Sequence, residues 1–90
     1  MSLKMSLLKQ SDLPPWALID LLKLARQYDC DIRIQKGELV VDAKKLLGVI
    51  ALSRAAGQEI AINIEGRDEK EAMVALKNYS ELKLENRHRN

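Results

Sequence analysis

The sequence contains no phenylalanine, one tryptophan (Trp16) and two tyrosines (Tyr28 and Tyr79), so its interior cannot be assembled around aromatic rings. Leu, Ile, Val, Ala and Met must fill the core instead. A single cysteine, Cys30, excludes an internal disulfide and any cysteine-rich zinc site. That fits a reducing compartment and predicts a buried, inert thiol. The only histidine is His88, in the basic tail Asn86-Arg87-His88-Arg89-Asn90. No apolar run approaches the roughly 18–20 residues of a membrane span, and the first residues lack the long apolar stretch of a secretory signal. A cytoplasmic protein with no membrane partner is expected. The formal net charge of +2 is too small for a strong nucleic-acid footprint, because Lys and Arg interleave with Asp and Glu along most of the chain.

What is present is the composition of one globular domain: 90 residues, 47% hydrophobic and 31% charged. At this length roughly 60–65% of the unfolded chain's surface can be buried, enough for one core without disulfide or structural metal. We expect a single domain over 1–90, with its core at about 5–82 and a mobile tail at 83–90. No cofactor is implied.

Periodicity divides the chain into seven elements. Residues 4–9 alternate weakly, with Met5 and Leu7 on one face, and read as a short strand. Residues 10–13 connect it to the two adjacent prolines, Pro14 and Pro15. A residue before proline is pushed out of the helical region, whereas Pro15 suits the first helical position, so a helix should begin there. Leu18, Leu21, Leu22, Ala25 and Tyr28 then recur at helical spacing opposite Asp20, Lys23, Arg26 and Gln27. Cys30, Ile32 and Ile34 alternate with Asp31, Arg33 and Gln35, Lys36-Gly37 supplies a turn, and 38–41 returns as a second strand, giving a β-hairpin. Asp42 is placed to cap a short helix containing Leu46, Leu47, Val49, Ile50 and Leu52, which should be packed on several sides and end at Ala55-Ala56-Gly57. Residues 58–65 carry the clearest strand, with Ile60, Ile62 and Ile64 on one face. Asp68 and Glu71 have capping-box spacing before a last helix with Ala72, Ala75, Leu76 and Tyr79, running to about Leu82. Every strand alternates, so the sheet should be largely antiparallel, with one wet face and helices on the other.

The segment Lys44-Lys45-Leu46-Leu47-Gly48-Val49-Ile50-Ala51-Leu52 resembles the stretch around the regulatory serine and short second helix of the HPr family, the histidine phosphocarriers of the sugar phosphotransferase system. Gly57-Gln58-Glu59-Ile60 is similar to that family's entry into its last strand. Glu65-Gly66-Arg67-Asp68-Glu69-Lys70-Glu71-Ala72 resembles its pattern before the final helix. The resemblance spans about 5–82. It implies an α+β open-faced sandwich, a four-stranded antiparallel sheet with three helices on one face.

The family's phosphoacceptor is a histidine just before the first helix, in a Gly-x-His-x-Arg-Pro-like motif. Counting back from Ala25 places Pro14 at that histidine, Asp12 at the glycine, Trp16 at the arginine and Ala17 at the proline. A pyrrolidine ring has no nucleophilic atom, an indole has no cationic fork, and Pro15 removes one helix N-terminal N–H. The regulatory serine position falls on Lys45, whose ammonium neither accepts a phosphoryl group from a serine kinase nor mimics phosphoserine. The resemblance therefore implies a phosphocarrier homologue, not an enzyme, that lacks its acceptors and acts as a regulatory or protein-binding module.

The family's docking surface combines the start of the first helix with the short second helix, which here means Trp16, Lys45, Leu46, Leu47 and Arg54. An apolar patch ringed by positive charge suits an acidic protein partner of the phosphotransferase or carbon-regulation type. A phosphocarrier using His88 is one alternative. A small nucleic-acid binder using Lys44, Lys45, Arg54 and the basic tail is another, without an aromatic stacking platform. Ser11 and Ser53 lack a base partner, and Asp12, Asp20, Asp29 and Asp31 read as caps, turns and solvated positions rather than metal ligands.

Overall fold

Ile60, Ile62 and Ile64 project from one side of the strand Glu59–Gly66, and none is more than 1% exposed. That row is the middle of the fold. The protein is described by a computed structural model that covers residues 1–6, 14–55 and 59–81. In chain order its elements are β1 (Ser2–Ser6), α1 (Pro15–Ala25), β2 (Cys30–Lys36), β3 (Leu39–Asp42), α2 (Leu46–Leu52), β4 (Glu59–Gly66) and α3 (Glu69–Tyr79). The four strands form one sheet in the order β1-β4-β2-β3, and every neighbouring pair is antiparallel.

The expected alternation fixes the register. Ile32 pairs with Ile64 and Ile34 with Ile62, so the apolar side chains of the two central strands stack on one face while Asp31, Arg33, Asn63 and Glu65 face water. The three helices cover the apolar face. α1 contributes Ala17, Leu18, Leu21, Leu22 and Ala25, α2 contributes Val49 and Leu52, and α3 contributes Ala72 and Leu76. The open-faced α+β sandwich is as expected. Cys30 is buried, as anticipated, and burial pushes its thiol pKa up, away from the reactive thiolate.

Several boundaries and contacts differ from the periodicity reading. β1 begins at Ser2 rather than at residue 4, because Leu3 pairs with Ile62 and packs against the core. The hairpin turn is Gly37-Glu38, one residue later than expected, with Lys36 opposite Leu39 and Gly37 supplying φ 62 at the first central position. Tyr28 lies past the end of α1 and packs only partly buried. Asp42 does not cap α2: its Oδ1 accepts the Lys44 N–H at 2.9 Å and closes the preceding turn, while the N-cap position is Lys45, with no side-chain cap. The capping box is also absent. Asp68 Oδ2 accepts the Asp29 N–H at 2.7 Å, and the Asp68 N–H returns to the Asp29 carbonyl at 3.1 Å, joining the start of α3 to the start of β2. α2 is not packed on several sides, since Leu46, Leu47 and Ile50 are exposed. Expectations for residues 7–13, 56–58 and 82–90 lie outside the described residues, among them Leu7, Ser11, Asp12, Gly57, Leu82 and His88.

Gly66 is where β4 meets the first residue of β2. Its φ is 136, and a Cβ there would sit 2.8 Å from the Cys30 Cα. Strain and contact act together, so Gly66→Ala is expected to destabilise the protein by about 2 kcal/mol or more. Urea unfolding checks this: the midpoint should fall further than for Gly37→Ala, in the hairpin turn, where φ is 62.

Candidate docking surface

α1 starts without a side-chain cap. Pro14 is extended at the N-cap (φ −69, ψ 163), and its carbonyl accepts the N–H groups of Ala17 at 2.9 Å and Leu18 at 3.3 Å. Pro15 has no N–H. Of the first helical donors, only the Trp16 N–H has no partner among the described residues, so this end offers one N–H rather than the converging set that cradles a phosphate. No acidic residue occupies the first turn.

Trp16, the second residue of α1, is 49% exposed. α1 packs against α2, which places a second apolar group on the same layer. Leu47 is 82% exposed, and Leu46 and Ile50 are each exposed beside it in sequence. Lys45 stands exposed at the N-cap of α2, and Arg54 is exposed just past the C-cap, Ser53. The sequence-predicted residues Trp16, Lys45, Leu46, Leu47 and Arg54 thus lie on the two packed helices and are all solvent-accessible.

Two further features were not read from the pattern. Ile50 joins the exposed set, although its spacing suggested core. Lys44 does not stand free as a cation for nucleic acid: it is half-buried, and its Nζ donates to the Tyr28 carbonyl at 2.6 Å, beyond the end of α1. Its own carbonyl accepts from Arg26 Nε at 2.8 Å. These two bonds bind the C-terminal end of α1 to the segment that leads into α2. Among the described residues no carboxylate lies within ion-pair distance of Lys23, Lys45 or Arg54. Within the described residues the cationic rim therefore has no ion-pair partner.

The far side of α1 is held differently. Tyr79 of α3 donates its hydroxyl to Asp20 Oδ2 at 3.0 Å. Burial, with the Asp20 carboxylate as hydrogen-bond acceptor and neighbouring charge, raises the Tyr79 pKa far above its ordinary value of 10.0.

A four-stranded antiparallel sheet with three helices on one face is the open-faced α+β sandwich of the HPr phosphocarrier structures. A family model described as PTS HPr component phosphorylation site matches residues 18–81, and the chain belongs to the HPr family. The phosphocarrier protein HPr of Treponema pallidum is 32% identical over 71 residues, which are 79% of this chain and 78% of that protein. The HPr-like protein Crh of Halalkalibacterium halodurans is 38% identical over 52 residues, 58% of this chain and 62% of the relative. Among solved structures, HPr from Bacillus anthracis has a TM-score of 0.73 at 28% identity, covering 88% of this chain and 94% of that one. The histidine-containing phosphocarrier protein of Mycoplasma shares the fold, with a TM-score of 0.81 at 24% identity over 93% and 97% of the two chains. HPr-family proteins are phosphocarriers, not enzymes. The family match begins at Leu18, after Pro14, Pro15 and Trp16.

The Tyr79 shift has a sign that can be read in solution. The folded protein keeps the phenolic proton that the unfolded chain gives up near pH 10.0, so stability is lost as pH rises above that value. Urea midpoints at about pH 8 and about pH 11 should differ less in Tyr79→Phe than in the wild type.

Proposed function

We propose that this chain is an HPr-family docking module of the cytoplasm, which binds an acidic protein partner of the phosphotransferase or carbon-regulation type and relays no phosphoryl group. The observation that carries this reading is Pro14 at the N-cap of α1, the position that the family resemblance gives to the phosphoacceptor histidine. A pyrrolidine ring has no nucleophilic atom, and among the described residues only one N–H of the first turn, that of Trp16, has no partner. The regulatory serine position is likewise an exposed lysine, Lys45. The apolar docking elements remain on display, with Leu47 the most exposed large hydrophobic side chain among the described residues. The similarity to the HPr-like protein Crh supports a regulatory rather than a relay role.

Incubation with enzyme I of the phosphotransferase system and labelled phosphoenolpyruvate is expected to leave the protein without stable label. Label that persists in the wild type and disappears in His88→Ala would replace this reading with a carrier acting through the tail. For the docking half, Trp16→Ala and Leu47→Asp should each weaken binding to enzyme I by about tenfold or more, as loss of a central apolar anchor does. Calorimetric titration of the folded variants measures it, and unchanged affinities would remove the α1–α2 face from the account.

A further inference from the structure

Lys36 is 1% exposed, the only buried charged residue among those described. It ends β2 on the core side, in the row of Ile32 and Ile34 and between its strand partners Ile60 and Leu39. Its Nζ donates to the carbonyl of Leu52 at 3.2 Å. Leu52 is the last residue of α2.

α2 has little else to fix it. Seven residues are too few for a helix to persist by its own hydrogen bonds. It carries no side-chain N-cap, no acidic residue in its first turn and no basic residue in its last. Only Val49 and Leu52 are fully buried, while Leu46, Leu47 and Ile50 face solvent. At the opposite end of the helix, Gly48 lets the backbone lie close on β3, where a Cβ would come within 3.1 Å of the Val41 Cβ. The C-terminal turn is tightened by the N–H groups of Ser53, Arg54 and Ala55 bonding three residues back, and the Ala55 bond shares the Leu52 carbonyl with Lys36. A cation at the negative end of a helix is favourable, and here the sheet supplies the charge that α2 lacks. An apolar side chain of equal length would fill the same space without the penalty of desolvating an ammonium. What the lysine adds at α2 is a directional bond to the Leu52 carbonyl.

We propose that Lys36 is a positioning residue that pins the C-terminal turn of α2 to the sheet and thereby sets the geometry of the docking face, from Ile50 to Arg54. The functional half rests on the docking reading above; the anchoring half does not. Burial lowers the Lys36 pKa, in keeping with its place under the helix, but the assignment stands on the geometry.

Residue-resolved amide exchange in wild type and Lys36→Met tests the anchor. Exchange at Ser53, Arg54 and Ala55 should accelerate by about tenfold while Ile32, Ile34 and Ile62 keep their rates. Unchanged rates at the end of α2, or equal acceleration everywhere, would overturn it. Should Lys36→Met fail to fold, the wild type itself decides: a scalar coupling across the hydrogen bond between Lys36 Nζ and the Leu52 carbonyl carbon is expected, and its absence overturns the anchor. Titration with enzyme I then reads the functional half, with affinity expected to fall about fivefold in Lys36→Met. Local loosening without a change in affinity would overturn the link to docking. If wild type binds no enzyme I while the exchange pattern is as expected, the docking reading fails and the anchor stands.

Discussion

The stack of isoleucines across β2 and β4 is the constraint on which the rest of the molecule depends. Ile32 against Ile64 and Ile34 against Ile62, extended by Ile60, make a continuous apolar face from the two central strands. Each such side chain contributes about 1.5–3 kcal/mol when withdrawn from water. With no phenylalanine and its tyrosines only partly buried, the described core is aliphatic, and the buried leucines of the helices meet this row of isoleucines. All three helices are seated on this face, so their relative positions are inherited from the sheet. A one-residue slip of either central strand would turn the isoleucines to solvent and unseat every helix at once.

Against that rigid base, the surface formed by α1 and α2 is held by few and identifiable contacts. Arg26 and Lys44 join the end of α1 to the approach of α2, Tyr79 and Asp20 tie α1 to α3, and Lys36 reaches α2 from beneath. None of these bonds uses the exposed apolar side chains or the outer cations, Lys45 and Arg54. The surface is supported from behind and, among the described residues, left open in front. In the proposed reading a partner docks on that face, and Pro14 is the residue that sets docking apart from phosphoryl transfer.

The sequence made the strands legible because alternation is a strong signal when one sheet face is dry and the other wet. The isoleucines of β4 and the Cys30, Ile32, Ile34 row follow from it, and the start of α1 follows from the stereochemistry of Pro14 and Pro15. Its failures share a cause, namely polar groups whose partners are distant in sequence. Asp68 looks like a local cap, yet bonds to Asp29, 39 residues away. Lys36 looks like a turn residue because it is charged beside a glycine, yet its stem follows the buried register and its ammonium finds a carbonyl 16 residues on. Periodicity missed the exposed side of α2 for the converse reason, although the resemblance had set Leu46 and Leu47 there: a helix rich in Leu, Val and Ile reads as surrounded, and the fold leaves one side open among the described residues. The candidate site was legible as a set of residues through the family resemblance. Its outward face and its supports required the structure.

The pairing of β1 with β4 has a consequence for how the chain reaches this state. Ser2 is opposite Asn63, so β1 has no strand partner until β4, the last of the described strands in chain order, has been made. The β2–β3 hairpin can close locally, but the sheet cannot be completed from the N-terminal side, and its central strand arrives last of the four. Loop closure over that distance must be met before the isoleucine contacts repay it.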